Sequence, residues 1–529
     1  MIVSDYRRAL VLVILLAITF SCGRKERLEE NVTRLPNILF AISDDQSYPY
    51  ASAYGTSGVN TPAFDKVAKM GLLLNNAFVA APQCSPSRAA ILTGRNIWQL
   101  EEAGTHSSYF PKKFTVFTQL LEENGFHVGY TGKPWGPGNW KDAGWKKNPV
   151  GKAYHVKQDD SIPPSAISKT DYFENFKDFY SEKSDSTPFF FWFGAYEPHR
   201  PYQFASGFEA GKSAANTVIP DFLPNDSIVQ KDVADYALEI EWFDQHLGKM
   251  LAYLEENGEL ENTIIVVTAD NGMPFPYAKA NLQEYGTHVP MAIAWANQWK
   301  GNRVSNELVS TIDLAPTFLD YTGIKIPTEM TGKSMKPLLE EGKAYRDFVL
   351  TGRERHTHAR PDNLAYPARA VRTADYLYIR NFKPDRWPAG DPRPNGIDER
   401  LDEGFRTFGV GYADIDGSPT KTYMFENQEE VGDLFKLGFL KRPKEQLFHI
   451  KNDPHCLYDL AENSEYLEIR SELALKLDEQ LLQQKDPRAM GNGDIFESYP
   501  RFAVMRNFSG FKERGAYNKA FVKERETSE

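Results

Sequence analysis

The sequence predicts an α/β fold built on a doubly wound, mostly parallel sheet, and three observations carry that prediction. Asn37-Ile38-Leu39-Phe40-Ala41-Ile42, the run from Pro188 to Ala195 and the run from Thr263 to Ala269 are short, unbroken and apolar, as strands buried on both faces are. Longer segments with helical periodicity lie between them, notably Asp232 to Asn257, and this alternation puts helices on both faces of one sheet. Finally, the first run ends in Asp44-Asp45 and the last in Asp270-Asn271. Ligands of open α/β sheets bind beyond the carboxyl ends of the strands, so these two pairs mark a site.

The chain begins with Arg7-Arg8, an apolar run from Ala9 to Phe20, and Ser21-Cys22-Gly23. That run is too short for a membrane-spanning helix and reads as the core of an export signal over residues 1–22. Thr19-Phe20-Ser21-Cys22 resembles a degenerate bacterial lipobox, with Cys22 as the lipidated first residue of the mature protein. The alternative is a cleaved signal with an incidental cysteine. The favoured reading implies a protein of the periplasm or outer membrane of a Gram-negative bacterium, touching the membrane through lipid alone. Residues 23–35 are polar and charged, as in a tether.

A main domain is expected over residues 36–370. Ala63 to Met70 reads as a helix. In Pro82-Gln83-Cys84-Ser85-Pro86-Ser87-Arg88, Ser85 suits an N-cap and Pro86 the first helical position, with Gly94 ending the helix. Cys84 then lies at a helix N-terminus, where free N–H groups and the helix dipole favour a tetrahedral oxyanion. Arg88, one turn on, is expected to fold back beside Cys84 and add donors for the same anion. Thr115 to Asn124 reads as a helix stopped by Gly125, and His127 to Gly132 as a strand delivering Lys133 to the ligand edge. A Trp- and Gly-rich loop follows from Pro134 to Trp145. Tyr196-Glu197-Pro198-His199-Arg200-Pro201 holds His199 at a strand end between prolines. Gly258 stops the long helix that begins at Asp232.

From about Val371 the texture changes to short alternating segments such as Arg372 to Arg380, many Pro and Gly, and a last helix near Ser464 to Gln484. A smaller antiparallel sheet with one helix is expected over 371–485, followed by a charged tail, 486–529. No repeat of fixed period is present.

A net charge of −11 excludes a general nucleic-acid or membrane-surface binder, so an anionic substrate must be met by a local cluster of cations and metal. The chain has 3 cysteines, too few for a disulfide framework once Cys22 and Cys84 have their own roles. Cys456 reads as a half-buried structural thiol. Hard oxygen donors from Asp44, Asp45, Asp270 and Asn271 suit Ca²⁺ or Mg²⁺ better than zinc.

Cys84-x-Pro86-x-Arg88, followed by Leu92-Thr93-Gly94-Arg95, resembles the signature of the formylglycine-dependent sulfatases. Asp270-Asn271-Gly272-Met273-Pro274-Phe275-Pro276, Lys279, Asn281-Leu282 and Glu197-Pro198-His199-Arg200 are most similar to the heparan N-sulfatase (sulfamidase) branch. The resemblance implies an alkaline-phosphatase-like fold and conversion of Cys84 to formylglycine (3-oxoalanine) by a formylglycine-generating enzyme. It further implies Ca²⁺, rather than Mg²⁺, held by Asp44, Asp45, Asp270, Asn271 and residue 84. Lys133 and Lys279 correspond to sulfate-binding cations, Arg88 to a catalytic-site cation and His199 to the acid that protonates the leaving group.

One departure stands out: where the family has Gly-Lys-x-His, this chain has Gly132-Lys133-Pro134-Trp135. His106, His155, His356 and His358 are candidate replacements or sugar contacts. Trp135, Trp140, Trp145 and Trp387 are candidates for a sugar pocket. Arg353-Glu354-Arg355-His356 and Asp385-Arg386-Trp387 are candidate substrate contacts, with His356 and Arg386 foremost.

The expected function is hydrolysis of sulfate esters or sulfamates on sulfated saccharides during bacterial polysaccharide degradation. The sulfamidase likeness suggests N-sulfated glucosamine, and the export signal suggests O-sulfates of an algal polymer such as ulvan or of glycosaminoglycans. Two alternatives are a phosphoesterase of the same fold and a non-catalytic binder of sulfated glycans.

Overall fold

A computed structural model of the protein describes residues 34–161, 166–360, 363–392 and 411–502. The expected export signal with Cys22, nearly all of the tether, and residues 503–529 of the tail lie outside the described residues. Residues from Pro36 onward form one unit.

The first strand, β1 (Asn37–Ser43), is buried along its whole length. Alternate side chains enter two cores: Ile38, Phe40 and Ile42 pack on one side of the sheet, Leu39 and Ala41 on the other. Each face is covered by helices. On the first side lie α2 (Cys84–Thr93), α3 (Phe117–Glu123) and α6 (Leu314–Tyr321). On the second lie α1 (Pro62–Met70), α4 (Tyr172–Glu182) and the long α5 (Ser227–Glu256). The helix expected from Asp232 therefore begins five residues earlier, because Asp226 caps it by accepting the Ile228 N–H at 2.7 Å.

The remaining strands of the sheet are β2 (Leu72–Phe78), β3 (His127–Gly132), β4 (Lys152–Ala153), β5 (Phe189–Gly194), β6 (Thr263–Ala269), β7 (His288–Ala294) and β8 (Arg303–Ser310). Their order is β4-β3-β5-β1-β6-β7-β2-β8. All run parallel except β7, which is antiparallel to both β6 and β2. Pro290 of β7 has no N–H to give the ladder, and it falls where the β2–β7 register shifts between Leu74 and Ala77.

Register sets the ligand edge. Ser43 pairs with Ala269, so Asp44 and Asp270 follow side by side. Gly132 of β3 pairs with Gly194 of the neighbouring β5, which in turn pairs with β1, so Lys133 emerges at the same edge.

A second sheet, of order β12-β11-β10-β9, is antiparallel and comprises β9 (Val349–Arg353), β10 (Ala368–Arg372), β11 (Tyr376–Asn381) and β12 (Glu445–His449). It draws on residues ahead of position 371, where the sequence texture changes. Helix α7 (Leu467–Gln483) covers it through Leu473, Leu477 and Leu481, buried at every fourth position. Buried charge ties the two sheets together. Arg372 of β10 donates from Nε to Glu284 at 2.7 Å, and His288 at the start of β7 lies 3.2 Å from the same carboxylate.

Burial alone would raise the Glu284 carboxyl, but Arg372 and His288 outweigh it and bring it from 4.5 to about 2. A carboxylate depressed in the folded state adds stability above its unfolded value, and that stability is lost as pH falls through the folded one. Glu284→Gln is therefore expected to cost about 3 kcal/mol in urea denaturation at pH 7. That deficit should shrink between pH 4.5 and about pH 2; a pH-independent deficit would contradict this assignment.

Candidate active site

Helix α2 begins at Cys84, with Gln83 as an extended N-cap and Gly94 ending it in the left-handed region at φ 62°. Ser85 is not the cap. It lies within the first turn, and its Oγ instead accepts the Ser107 N–H at 3.0 Å, fastening a neighbouring loop. Pro86 sits in the same turn, where its missing N–H leaves no bond unmade. The Cys84 Sγ lies 3.3 Å from Asp44 Oδ1.

Four residues converge here. Ligand atoms of Asp44, Asp45, Cys84 and Asp270 all lie within 4.8 Å of one another, and all four residues are buried. Asp45 is held in the left-handed region at φ 69°, a costly conformation for a non-glycine residue, and its N–H donates to Asp270 Oδ1 at 3.1 Å. Lys133 pairs with Asp44 and Lys279 with Asp45. Arg88, fully buried, donates from Nε to Asp270 at 2.7 Å.

These charges explain the titration of the cluster. Burial raises the Asp44 carboxyl, but Lys133 beside it and His199 prevail and hold it below its usual range. Burial and the Asp44 charge together hold Asp270 above that range despite Arg88. Burial, reinforced by Asp44, pushes the Cys84 thiol well up, so an unmodified Cys84 is not a thiolate nucleophile at neutral pH.

The donor set fits a hard divalent cation. Three carboxylates share one small volume, and the buried Oδ1 of Asn271, whose Nδ2 is bonded to Asp45, has no partner.

A cavity of about 580 Å³ opens onto this cluster, lined by Asp44, Cys84, Lys133, His199, Lys279 and His356 among others. His199 is oriented by its own turn: Nδ1 lies 2.7 Å from the Arg200 carbonyl, which can only accept, so Nδ1 carries hydrogen. Nε2 faces Asp45 at 4.0 Å.

Several sequence expectations are corrected. Arg88 does not fold back as a bidentate anion donor; besides Asp270 it binds the Lys133 carbonyl at 2.6 Å and the Pro134 carbonyl at 3.2 Å. Its Nη2 is the one nitrogen left without a partner. Arg386 is drawn away from the cavity, donating to Glu497 at 2.8 Å and to the Ala365 carbonyl at 2.7 Å. Arg353 is bonded to Asn281 and Asp414, Glu354 to Arg369 and Arg488, and Arg355 to the backbone of Tyr499 and Pro500, so of that quartet His356 reaches the cavity.

Trp135 points into the core, where its Nε1 donates to the Ser85 carbonyl at 3.1 Å and its ring meets Phe110 edge-on. Trp140 and Trp145 pack against the same core, and Trp387 packs against Tyr412. None of the four lines the cavity, whose aromatic wall residue is Tyr196. Of the candidate histidines, His106 and His356 line it, with ring centres 4.7 Å apart, and His155 and His358 do not. Cys456 is fully buried rather than half-buried, and both described cysteines are free thiols.

The sequence also concealed contributors. Asp416, 3.3 Å from Lys279, Arg501 near the end of the described chain, and Glu239 of α5 all line the cavity. No periodicity or motif marks the first two, and Glu239 is masked as one charge on an amphipathic helix.

Comparison with known proteins agrees with this geometry. The family model described as Sulfatase matches residues 36–324, and that of N-sulphoglucosamine sulphohydrolase, C-terminal, matches residues 276–393. An ulvan-active sulfatase of Formosa agariphila is 28% identical over 84% of this chain and 79% of its own length. Human N-sulphoglucosamine sulphohydrolase is also 28% identical, over 65% of this chain and 73% of its own.

Among solved structures, BT4656 in complex with its substrate D-glucosamine-2-N,6-O-disulfate superposes with a TM-score of 0.59 at 20% identity, covering 85% of this chain and 98% of its own. BT1596, a 2-O GAG sulfatase, gives 0.60 at 20% identity over 86% and 93%. Both likenesses show the alkaline-phosphatase-like fold. With more than half of its length matched by the family model, the chain belongs to the sulfatase family of sulfuric ester hydrolases, close to its sulfamidase-like members.

Proposed function

We propose that this protein hydrolyses sulfate esters or sulfamates on sulfated saccharides, with residue 84 matured to formylglycine and Ca²⁺ held by Asp44, Asp45, Asp270 and Asn271. The observation that carries the reading is the convergence of three buried carboxylates and two lysines on Cys84 at a helix N-terminus. The names of the relatives, ulvan-active sulfatase and N-sulphoglucosamine sulphohydrolase, support a saccharide substrate. Export to the periplasm or outer membrane, as a lipoprotein on Cys22, is proposed from the N-terminal apolar run and the lipobox-like residues. Maturation would need a formylglycine-generating enzyme as partner.

When present, formylglycine supplies a hydrated-aldehyde nucleophile and the cation supplies Lewis-acid polarisation of the sulfate. The chain's own residues do the rest. Lys133 and Lys279 each bring a positive charge to the carboxylates beside residue 84 and line its cavity, and together with the unpartnered Nη2 of Arg88 they neutralise the sulfate oxygens. Through Nε, Arg88 also fixes the Asp270 carboxylate. With Nδ1 tied to the Arg200 carbonyl, His199 keeps Nε2 to deliver a proton to the departing sugar oxygen or nitrogen. Ca²⁺ is preferred over Mg²⁺ on the resemblance, and the oxygen donors of Asp44, Asp45, Asp270 and Asn271 suit such a hard cation.

Protein coexpressed with a maturation enzyme is expected to release sulfate from N-sulfated glucosamine or from sulfated ulvan oligosaccharides. It should act on the corresponding phosphate esters at least about 100-fold more slowly, a difference of roughly 3 kcal/mol in transition-state stabilisation. Faster phosphate hydrolysis would make it a phosphoesterase; glycan binding without either release would make it a binding protein.

Replacing His199 by Ala should lower kcat about 10³-fold on a sugar sulfate. The effect should be far smaller on 4-nitrophenyl sulfate, whose leaving group needs no proton. Equal losses on the two substrates would remove His199 from the role of acid.

A further inference from the structure

Helix α5 carries three carboxyl groups on one face, Asp232, Asp235 and Glu239, spaced three and then four residues apart. The first two are consumed by structure. Asp232 binds both terminal nitrogens of Arg200, at 2.7 and 2.8 Å, and accepts from Thr420 at 2.5 Å. Asp235 accepts the backbone N–H groups of Ala205 and Gly207, at 2.9 and 2.7 Å.

Glu239, one turn further on, is 4% exposed and makes neither a hydrogen bond nor an ion pair among the described residues, yet it lines the cavity that reaches Cys84. Glu197 stands beside it, its two carboxylate oxygens taken by the Ser168 N–H at 2.9 Å and the Tyr172 hydroxyl at 2.7 Å. Glu197 is also two residues from His199, so this wall lies next to the group assigned to the departing sugar. A carboxyl group buried without a partner is costly, and an apolar side chain would cover the same wall at lower cost. Hydrogen-bond donors on a ligand give it the partner that the protein withholds.

We propose that Glu239 is a specificity-determining residue that receives hydroxyl groups of the sugar carrying the scissile sulfate. The inference rests on the reading of the site as a saccharide sulfatase. It predicts a substrate whose leaving-group side presents free hydroxyls to this wall.

The test compares Glu239→Leu and Glu239→Gln with wild type on N-sulfated glucosamine and sulfated ulvan oligosaccharides, each measured against 4-methylumbelliferyl sulfate, which has the ester but no sugar hydroxyls. Glu239→Leu is expected to unfold at the same or a higher temperature while its saccharide-over-aryl selectivity in kcat/KM falls about 30-fold, chiefly through KM. The Gln variant, which still hydrogen-bonds, should keep most of that selectivity. A Leu variant that loses stability with its selectivity intact, or loses kcat/KM equally on both substrates, would overturn the proposal. Calorimetric binding of the same saccharides separates the two readings. Weakened binding to the Leu variant of a wild-type protein that releases no sulfate would keep the wall and overturn the sulfatase reading, whereas unchanged binding would overturn the wall.

Discussion

Like charge confined at short range is the constraint on which this structure depends. Asp44, Asp45 and Asp270 are buried and close enough for their oxygens to share one ion. In a medium of low effective dielectric such a group cannot remain ionised unless positive charge is brought to it. The fold brings it from three directions: Arg88 from the first turns of α2, Lys133 from the end of β3, and Lys279 from the loop after β6. Asp45 is held in a strained backbone conformation that the surrounding sheet sustains.

The same arrangement explains how a substrate anion and a cation can share the site. In the protein alone, the two lysines neutralise Asp44 and Asp45. A divalent ion would take over that task and free both ammonium groups for an incoming sulfate. Arg88 is not free in this way, because Asp270 and two backbone carbonyls hold it, and it acts mainly as a brace. The edge of the sheet is thus a scaffold for charges whose partners would change on loading, while of the three clustered α5 carboxyls Glu239 alone faces the cavity.

Much of this was legible in the sequence because local pattern and global position coincide. The apolar runs of β1 and β6 are buried on both faces, so they appear without alternation, and each runs straight into its acidic pair. Helix α2 was legible for its Gly94 end but not for its start, since Ser85 was needed to hold the Ser107 loop rather than to cap the helix. Strand β7 was hidden by Pro290, which ordinarily argues against an interior strand and is tolerated here at a register shift. Long-range partners were the least legible. Nothing local to Arg386 reveals that Glu497 claims it, and nothing local to Trp135 reveals that its ring belongs to the core. Nor does anything local to Asp416 or Arg501 announce that they reach the cavity.

The most direct measurement is the unfolding temperature of the protein with Ca²⁺, with a chelator, and with Ca²⁺ restored. An ion bound by the folded state alone stabilises it by about 2.7 kcal/mol at a hundred times its dissociation constant. The account predicts that chelation lowers the unfolding temperature by several degrees, that Ca²⁺ restores it, and that Asn271→Ala blunts the response. An unfolding temperature indifferent to chelator and to Ca²⁺ would contradict the claim that these buried carboxylates are gathered to hold a cation.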